Sequence, residues 1–430
     1  MKKRKLFSTI ILLAISGVIM CGCHNTDDTE DLQPPDTSGS SYDMTVGEVV
    51  NMPEDFIMGM DASCVPALED GGVRYYDMDG TEKDVYAILS ENGINYIRVR
   101  IWNDPFDLEG HGYGGGNCDI HNAVEIGKRA TAQGMKLLVN FHYSDFWADP
   151  SKQMVPKAWQ GMDLAEKAQA LYQYTKESLE KLLAEGVDIG MVQVGNETNG
   201  SMCGETDWAN IARLMSEGSR AVRECCPDAL VVLHFANPES KSRYAEYGRM
   251  LKQYEVDYDV FASSYYPFWH GTLENLSGVL TDIAVTYGKK VMVAETSYAY
   301  TSEDTDFYGN TVGEGSAAPG YPISTVGQMK LVRDVVDTVV NKTQNGIGVF
   351  YWEGTWIAAG GKNYEENRAL WEKYGSGWAS SYAAEYDPND AGKWYGGCSV
   401  DNQAFFDKNG KATEALRVFS ILRGETDTNN

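Results

Sequence analysis

The chain has 430 residues, 43% of them hydrophobic and 11% aromatic, enough to bury one large core or several ordinary ones. Its 36 basic residues stand against 62 acidic ones, a formal charge of −26. A surface that negative repels nucleic acid and anionic membranes, so both are excluded as direct partners and a neutral substrate suits it better.

The N-terminus reads as an export signal rather than as fold. "MKKRK" is a basic n-region, "LFSTIILLAISGVIM" an apolar h-region too short for a comfortable membrane span, and "CGC" follows. "MCGC" resembles a bacterial lipobox ending at Cys23, with Gly22 at the small position and Cys21 as the alternative acceptor. The expectation is a signal peptide over 1–23 with a lipid on Cys23, the chain's one link to a membrane. Residues 24–54, opening "HNTDDTEDLQPPDTSGSS", are acidic and poor in apolar side chains, and read as a flexible linker. Their early acidic run resembles surface-export signals that follow lipidated cysteines in some gut bacteria. The expected location is therefore the cell-surface face of the outer membrane. Six cysteines lie beyond the signal in no zinc-binding pattern; buried thiols, with one or two disulfides, are expected.

From residue 56 one unit recurs: a short apolar run, then a helical stretch usually closed by glycine. The runs begin "FIMGMDAS" at 56, "YIRVRIW" at 96, "KLLVNFHYS" at 136, "IGMVQVGNE" at 189, "LVVLHFAN" at 230, "VFASSYYP" at 260, "KVMVAETSY" at 290 and "GVFYWEGTW" at 348. Over 163–186 the residues Leu164, Ala168, Leu171, Thr175, Leu179 and Leu182 make one apolar helix face, a core stripe. Asp119 reads as the N-cap of the helix that follows it. Eight strand–helix units with continuously apolar strands predict a parallel, fully covered sheet closed into one α/β domain, a (β/α)8 barrel over 55–424 with extended βα loops and a short tail, 425–430. "GHGYGGGN" at 110–117 lacks phosphate-loop spacing and reads as a flexible rim loop. Met58, Met60 and Met191 read as barrel core.

Chemistry in such barrels gathers at the C-terminal ends of the strands. Those ends carry Asp61; Arg98, Arg100, Trp102 and Asn103; Asn140, His142, Tyr143 and Asp145; Asn196 and Glu197; His234 and Asn237; Tyr265, Tyr266, Trp269 and His270; Glu295 and Tyr298; and Trp352, Glu353 and Trp356. Indole and phenol faces stack on the C–H faces of sugars, and the amides and charges meet hydroxyls. Glycoside hydrolysis needs two carboxyls flanking the bond, and Glu197 and Glu295 close strands four and seven across the mouth from each other. Glu295 is the expected nucleophile, with Arg100 as its charge partner and Tyr266 as a hydrogen-bond donor. Glu197 is the expected acid, its pKa raised by burial and by repulsion from Glu295. The Asn196 amide suits the hydroxyl beside the reacting carbon.

At these residues the sequence resembles the endo-β-1,4-galactanases of glycoside hydrolase family 53. The shared stretches are "MGMDAS", "RVRIWNDP", "NFHYSDFWADPSKQ", "VPKAW", "QVGNETNG", "SSYYPFWHG", "VAETSY", "GVFYWEGTWI", "GSGWASSYAAEYDP" and "DNQAFFD", spanning about residues 55 to 423. The resemblance implies Glu197 as acid/base and Glu295 as nucleophile of a retaining enzyme. It implies sugar contacts from Asp61, Arg100, Asn103, His142, Asp145, Trp147, Asn196, Tyr266, Trp269, Trp352 and Trp378. It also implies β-1,4-galactan as the polysaccharide partner, and chemistry that needs no cofactor. Bacterial members resemble one another in a calcium site on the loop after strand seven, here "TSEDTDFYGNTVGEGS", where Asp304, Asp306 and Asn310 offer hard oxygens. The chain departs from that pattern in having no histidine near Tyr308, and an acidic surface loop is the other reading of the segment. Two functions compete with galactan hydrolysis: an endo-glycanase acting on mannan or xylan, and a surface lipoprotein that binds glycan without cutting it. No extra apolar stripe calls for a partner subunit, so a monomer is expected.

Overall fold

The computed structural model describes residues 46–424 apart from Lys241 and Glu314, so the signal segment, Cys23 and most of the predicted linker lie outside the described residues. Eight strands close into a barrel in which each pairs in parallel with its sequence neighbours and the last pairs with the first. They are β1 Ile57–Asp61, β2 Tyr96–Ile101, β3 Lys136–Phe141, β4 Ile189–Val194, β5 Leu230–Phe235, β6 Val260–Ser264, β7 Lys290–Thr296 and β8 Gly346–Tyr351. The (β/α)8 expectation holds strand for strand; only the last strand starts two residues before its predicted position.

The helices between strands are fixed by their own end signals. Asp163 caps Leu164–Ala184 by accepting from the Ala165 and Glu166 backbone N–H groups, and the Glu166 side chain returns to the Asp163 N–H, completing a capping box. Asp119 caps Ile120–Ala132 through the His121 and Asn122 N–H groups, as the sequence predicts. The stripe Ala168, Leu171, Thr175, Leu179 and Leu182 is buried against the barrel wall. Residues 46–54, within the span read as linker, already pack on the domain: Val49 is buried and its N–H donates to Leu422 O at 3.0 Å.

Strand periodicity builds the site directly. An apolar plug of Leu138, Met191, Val232, Ala262, Met292 and Phe350 fills the barrel interior. Side chains two residues apart on a strand share a face, so the next layer toward the mouth is Asn140, Gln193, His234, Ser264 and Trp352. Met191 belongs to the plug, whereas Met58 and Met60 face outward into the core beneath the helices. On β7 the count changes. Ser263 pairs with Val293 but Ser264 pairs with Glu295, so one extra residue bulges the strand and turns Glu295 inward beside Ser264.

The glycine run at 110–117 is not a flexible rim. Gly115 and Gly116 donate to Gly377 O and Gly375 O, and Gly114, Gly115 and Gly116 are buried. A Cβ on Gly115 would lie 2.7 Å from the Trp102 ring and 2.9 Å from that of Trp147, so only glycine passes beneath those indoles. The six cysteines among the described residues are free thiols, not disulfides, and all but Cys225 are buried.

Candidate active site

Four of the eight strands end in a residue with left-handed backbone: Tyr143 after β3 (φ 50°), Glu197 after β4 (φ 48°), Asn237 after β5 (φ 64°) and Glu353 after β8 (φ 52°). For a non-glycine residue this conformation is strained and persists only where the surroundings impose it. At β4 the turn begins two residues earlier with Gly195 (φ 88°), where a Cβ would come within 2.7 Å of the Thr198 methyl. The two-residue turn swings Glu197 away from the strand line and into the mouth.

There Glu197 accepts a hydrogen bond of 2.6 Å from the Ser264 hydroxyl, whose oxygen also lies 3.5 Å from Glu295 Oε2. Two carboxyls within reach of one hydroxyl have nearest oxygens at most about 6 Å apart, the range of retaining glycosidase pairs rather than the wider inverting ones. Their surroundings differ. Glu295, only 6% exposed, receives Arg98 Nη1 on Oε1 at 2.7 Å and the Tyr266 hydroxyl on Oε2 at 3.0 Å, donors suited to an attacking carboxylate. Glu197 is half-buried, opening on the cleft, and among the described residues has no cation within salt-bridge distance. Burial first, and the charge of Glu295 second, push its pKa well above the usual carboxylate range. The two carboxyls thus stand in opposite settings, one raised by burial and the other held by a cation and a hydroxyl.

The cation at Glu295 is Arg98, not Arg100. Both side chains point into the barrel, but residues two apart on a strand stand about 6.6 Å apart along it, which carries Arg100 past the Glu295 level. Arg98 bridges Asp61 Oδ2 (3.2 Å) and Glu295, and also donates to Gln193 and Asn196. Arg100 instead pairs with Glu353, donates to Gly115 O at 2.7 Å and lies 4.3 Å from the Trp147 ring centroid. It is 1% exposed, and its hydrogen bonds run to the wall of the cleft. Burial pushes Glu353 up to about 8 even with Arg100 beside it.

Several other expected sugar contacts also bond within the protein. Asp61 accepts from Ser63 and Arg98, and Asp145 accepts the Asp104 and Lys157 backbone N–H groups at 3.0 and 2.6 Å. Burial raises Asp145 to about 6. His142 is buried, with Nδ1 facing the Trp102 indole N–H (3.2 Å) and the Ala148 N–H (3.1 Å), and burial plus Arg100 and Arg98 keep it neutral. Asn196 Oδ1 accepts from Arg98 and Asn140, and its amide donates to Ala148 O, leaving one N–H for a ligand. Asn103 keeps an unpartnered buried Oδ1 near the mouth. The stacking surfaces are Trp269, 48% exposed, with Trp147, Trp352 and Trp378 half-buried around the cleft; the Trp147 and Trp378 indoles are fixed by Trp378 O and the Tyr308 hydroxyl.

The loop after β7 brings Asp304, Asp306 and Asp401 together with one oxygen of each within 4.8 Å of the others. Asp401, a hundred residues downstream in "DNQAFFD", was not among the expected ligands. Its Oδ1 is buried without a partner, as is Asn310 Oδ1 on the loop itself. Burial, then Asp401, pushes Asp306 up to about 8. Three converging carboxylates and two orphaned oxygens match the donor set of a hard cation.

The sequence profile of glycosyl hydrolase family 53 matches residues 57–419. An endo-beta-1,4-galactanase of Bacillus subtilis (strain 168) is 60% identical over 378 residues, covering 88% of each chain. An arabinogalactan endo-beta-1,4-galactanase of Cellvibrio japonicus (strain Ueda107) is 34% identical over 340 residues, 76% of this chain and 85% of that one. Among solved structures, the family 53 catalytic domain of Ignisphaera aggregans superposes with a TM-score of 0.78 at 35% identity, covering 88% of this chain and 99% of its own. A match over nearly the whole barrel, with paired glutamates at the ends of β4 and β7, leaves one assignment: the chain belongs to glycosyl hydrolase family 53.

Proposed function

We propose that the protein is a retaining endo-β-1,4-galactanase that cuts galactan and the galactan backbone of arabinogalactan by double displacement. The pairing of Glu197 and Glu295 around one hydroxyl, in opposite electrostatic settings, carries this reading. Glu295 attacks the anomeric carbon while Glu197 protonates the departing oxygen, giving a galactosyl-enzyme ester. Glu197, now ionised, takes a proton from water, which releases the sugar with its configuration kept. The galactan relatives and the open aromatic cleft support this substrate over mannan or xylan. Linear β-1,4-galactan sampled over time is the test. Internal cutting predicts a spread of oligosaccharides early and short products late, with no comparable release from mannan or xylan; release of single galactose units from the start overturns the endo assignment. The site is complete within one chain, which supports a monomer.

A divalent cation, calcium by donor chemistry, fits Asp304, Asp306, Asp401 and Asn310. Bound there it neutralises buried carboxylates and ties the β7 loop to the segment after β8; it takes no part in bond cleavage. Chelation is expected to lower the melting temperature by several degrees, with calcium restoring it, and Asp401→Ala to remove that response. An unchanged melting temperature rules the site out. Among the described residues no helix is long and apolar enough to cross a membrane. The basic and apolar leader before Gly22 and Cys23 supports lipid anchoring at Cys23 on the outer membrane, which the mass of the mature N-terminus decides.

A further inference from the structure

Ser264 is absent from every sugar-facing set, yet it touches more of the reaction centre than any other neutral side chain. It is fully buried at the end of β6. Its hydroxyl oxygen lies 2.6 Å from Glu197 Oε1, 3.5 Å from Glu295 Oε2 and 2.9 Å from His234 Nε2. A hydroxyl has one proton to give, so its neighbours decide where that proton points.

His234 is the neutral neighbour. Burial, then the charge of Arg98, holds its pKa well below the ordinary imidazole value, so the ring is neutral with one N–H. Three groups face Nδ1: the Asn196 Oδ1 acceptor at 3.1 Å, the Gln193 amide at 3.2 Å and the Glu197 backbone N–H at 3.4 Å. The Ser264 proton is placed by its own distances to the two carboxyls, whichever ring nitrogen of His234 carries the hydrogen. Of the two in reach, Glu197 is nearer by 0.9 Å, from 2.6 against 3.5 Å. Gln193, His234, Ser264 and Glu197 thus form one hydrogen-bonded row across β4, β5 and β6. The β7 bulge makes it possible, since without the extra residue Glu295 would not stand opposite Ser264.

We propose that Ser264 is a positioning residue for the acid/base, a fixed donor that holds one oxygen of Glu197 and meets the negative charge that grows there as the proton leaves for the glycosidic oxygen. The inference rests on Glu197 being the acid/base. The serine proton does not transfer; the bond strengthens as Glu197 ionises and weakens again when Glu197 takes a proton from water. Ser264 therefore favours the first displacement over the second. Its effect also scales with how much acid assistance the leaving group needs.

The groups facing Glu197 are Glu295 from β7, Arg98 from β2, Asp149 from the loop after β3, neutral His234 and Tyr266, and neutral Tyr244 from the helix Arg243–Gln253. Ser264→Ala leaves all of these and removes one donor that favours ionised Glu197. The test compares Ser264→Ala with the wild type on galactan and on an aryl β-galactobioside whose phenol leaves without protonation. On galactan kcat/KM is expected to fall about 10-fold, the worth of one charge-assisted hydrogen bond, while the aryl substrate changes less than about 2-fold. The alkaline limb of the kcat/KM profile on galactan is expected to move to higher pH. Equal losses on both substrates, or an unmoved alkaline limb, overturn the proposal, since a structural or nucleophile-side role acts on both. Ser264→Cys keeps the volume with a weak donor and reads the same outcomes if the alanine variant folds poorly. Glu197→Ala runs alongside: if it keeps its galactan activity, the acid/base reading itself fails, separately from anything Ser264 shows.

Discussion

Glu295→Ala is expected to abolish hydrolysis of galactan and of activated aryl galactosides alike, by at least about 10⁴-fold, while the protein stays folded and still binds the polymer. No leaving group, however good, replaces the missing nucleophile. Glu197→Ala should lose a similar factor on galactan yet keep much of the first step on aryl substrates, because a stable phenolate leaves without a proton. Its galactosyl-enzyme then waits for a base, so the ester accumulates and the phenol appears as a burst. Added azide separates the two carboxyls by stereochemistry. In the Glu197 variant it attacks the ester and gives the β-galactosyl azide; in the Glu295 variant it enters directly opposite the leaving group and gives the α anomer. If either single variant retains near-full activity on galactan, or if the two azides form with the reverse configurations, the roles assigned here are wrong. Loss of hydrolysis with polymer binding retained in both variants separates the enzyme from a glycan-binding protein, which would have no hydrolysis to lose.

The barrel was legible because its signal is repeated. Eight apolar runs separated by amphipathic stretches leave little choice, and the strand ends then nominate the mouth. Glu197, Glu295 and Tyr266 could be named because they stand where the periodic pattern stops. What sequence reading missed lies one layer deeper. Gln193, His234 and Ser264 follow plug residues Met191, Val232 and Ala262 by two positions, so a polar residue at that spacing in a buried strand is itself the signal. Only His234 stood out among the strand ends, since nothing in "VFASSYYP" marks which of its two serines faces the site. Glu295 breaks the same count because of the β7 bulge, and no one-dimensional pattern records which of two residues a bulge turns inward. Asp401 escaped for another reason: its partners Asp304 and Asp306 are distant in sequence, and the contact exists only once the segment after β8 folds back on the β7 loop. The glycine run at 110–117 was misread because local flexibility was taken from composition, whereas the indoles of Trp102 and Trp147 hold it from above.

The two arginines of β2 separate sharply in their expected effects. Arg98→Lys keeps a positive charge but cannot span Asp61, Glu295, Gln193 and Asn196 at once, which the planar guanidinium does with four contacts between 2.7 and 3.2 Å. The expected result is a fall in kcat of about 10²-fold with KM nearly unchanged, because Arg98 is 1% exposed and orients the nucleophile rather than the sugar. Arg98→Met should do worse. It leaves Glu295 buried without its cation and Asp61 with Arg100 alone at 3.5 Å, and breaking a buried pair in this way costs about 3–5 kcal/mol of folding stability. Arg100→Lys is the control, with the same change two residues away. It disturbs Glu353, Gly115 and the Trp147 face, so the melting temperature should drop while kcat stays within several-fold. Measuring kcat, KM and melting temperature for the three variants decides between them. A larger kcat loss in Arg100→Lys than in Arg98→Lys would place the nucleophile's cation one strand period higher than the geometry does. The physical point is general to such mouths: alternate residues of one strand share a face but stand in different layers, and the layer, not the face, decides which carboxylate each one serves.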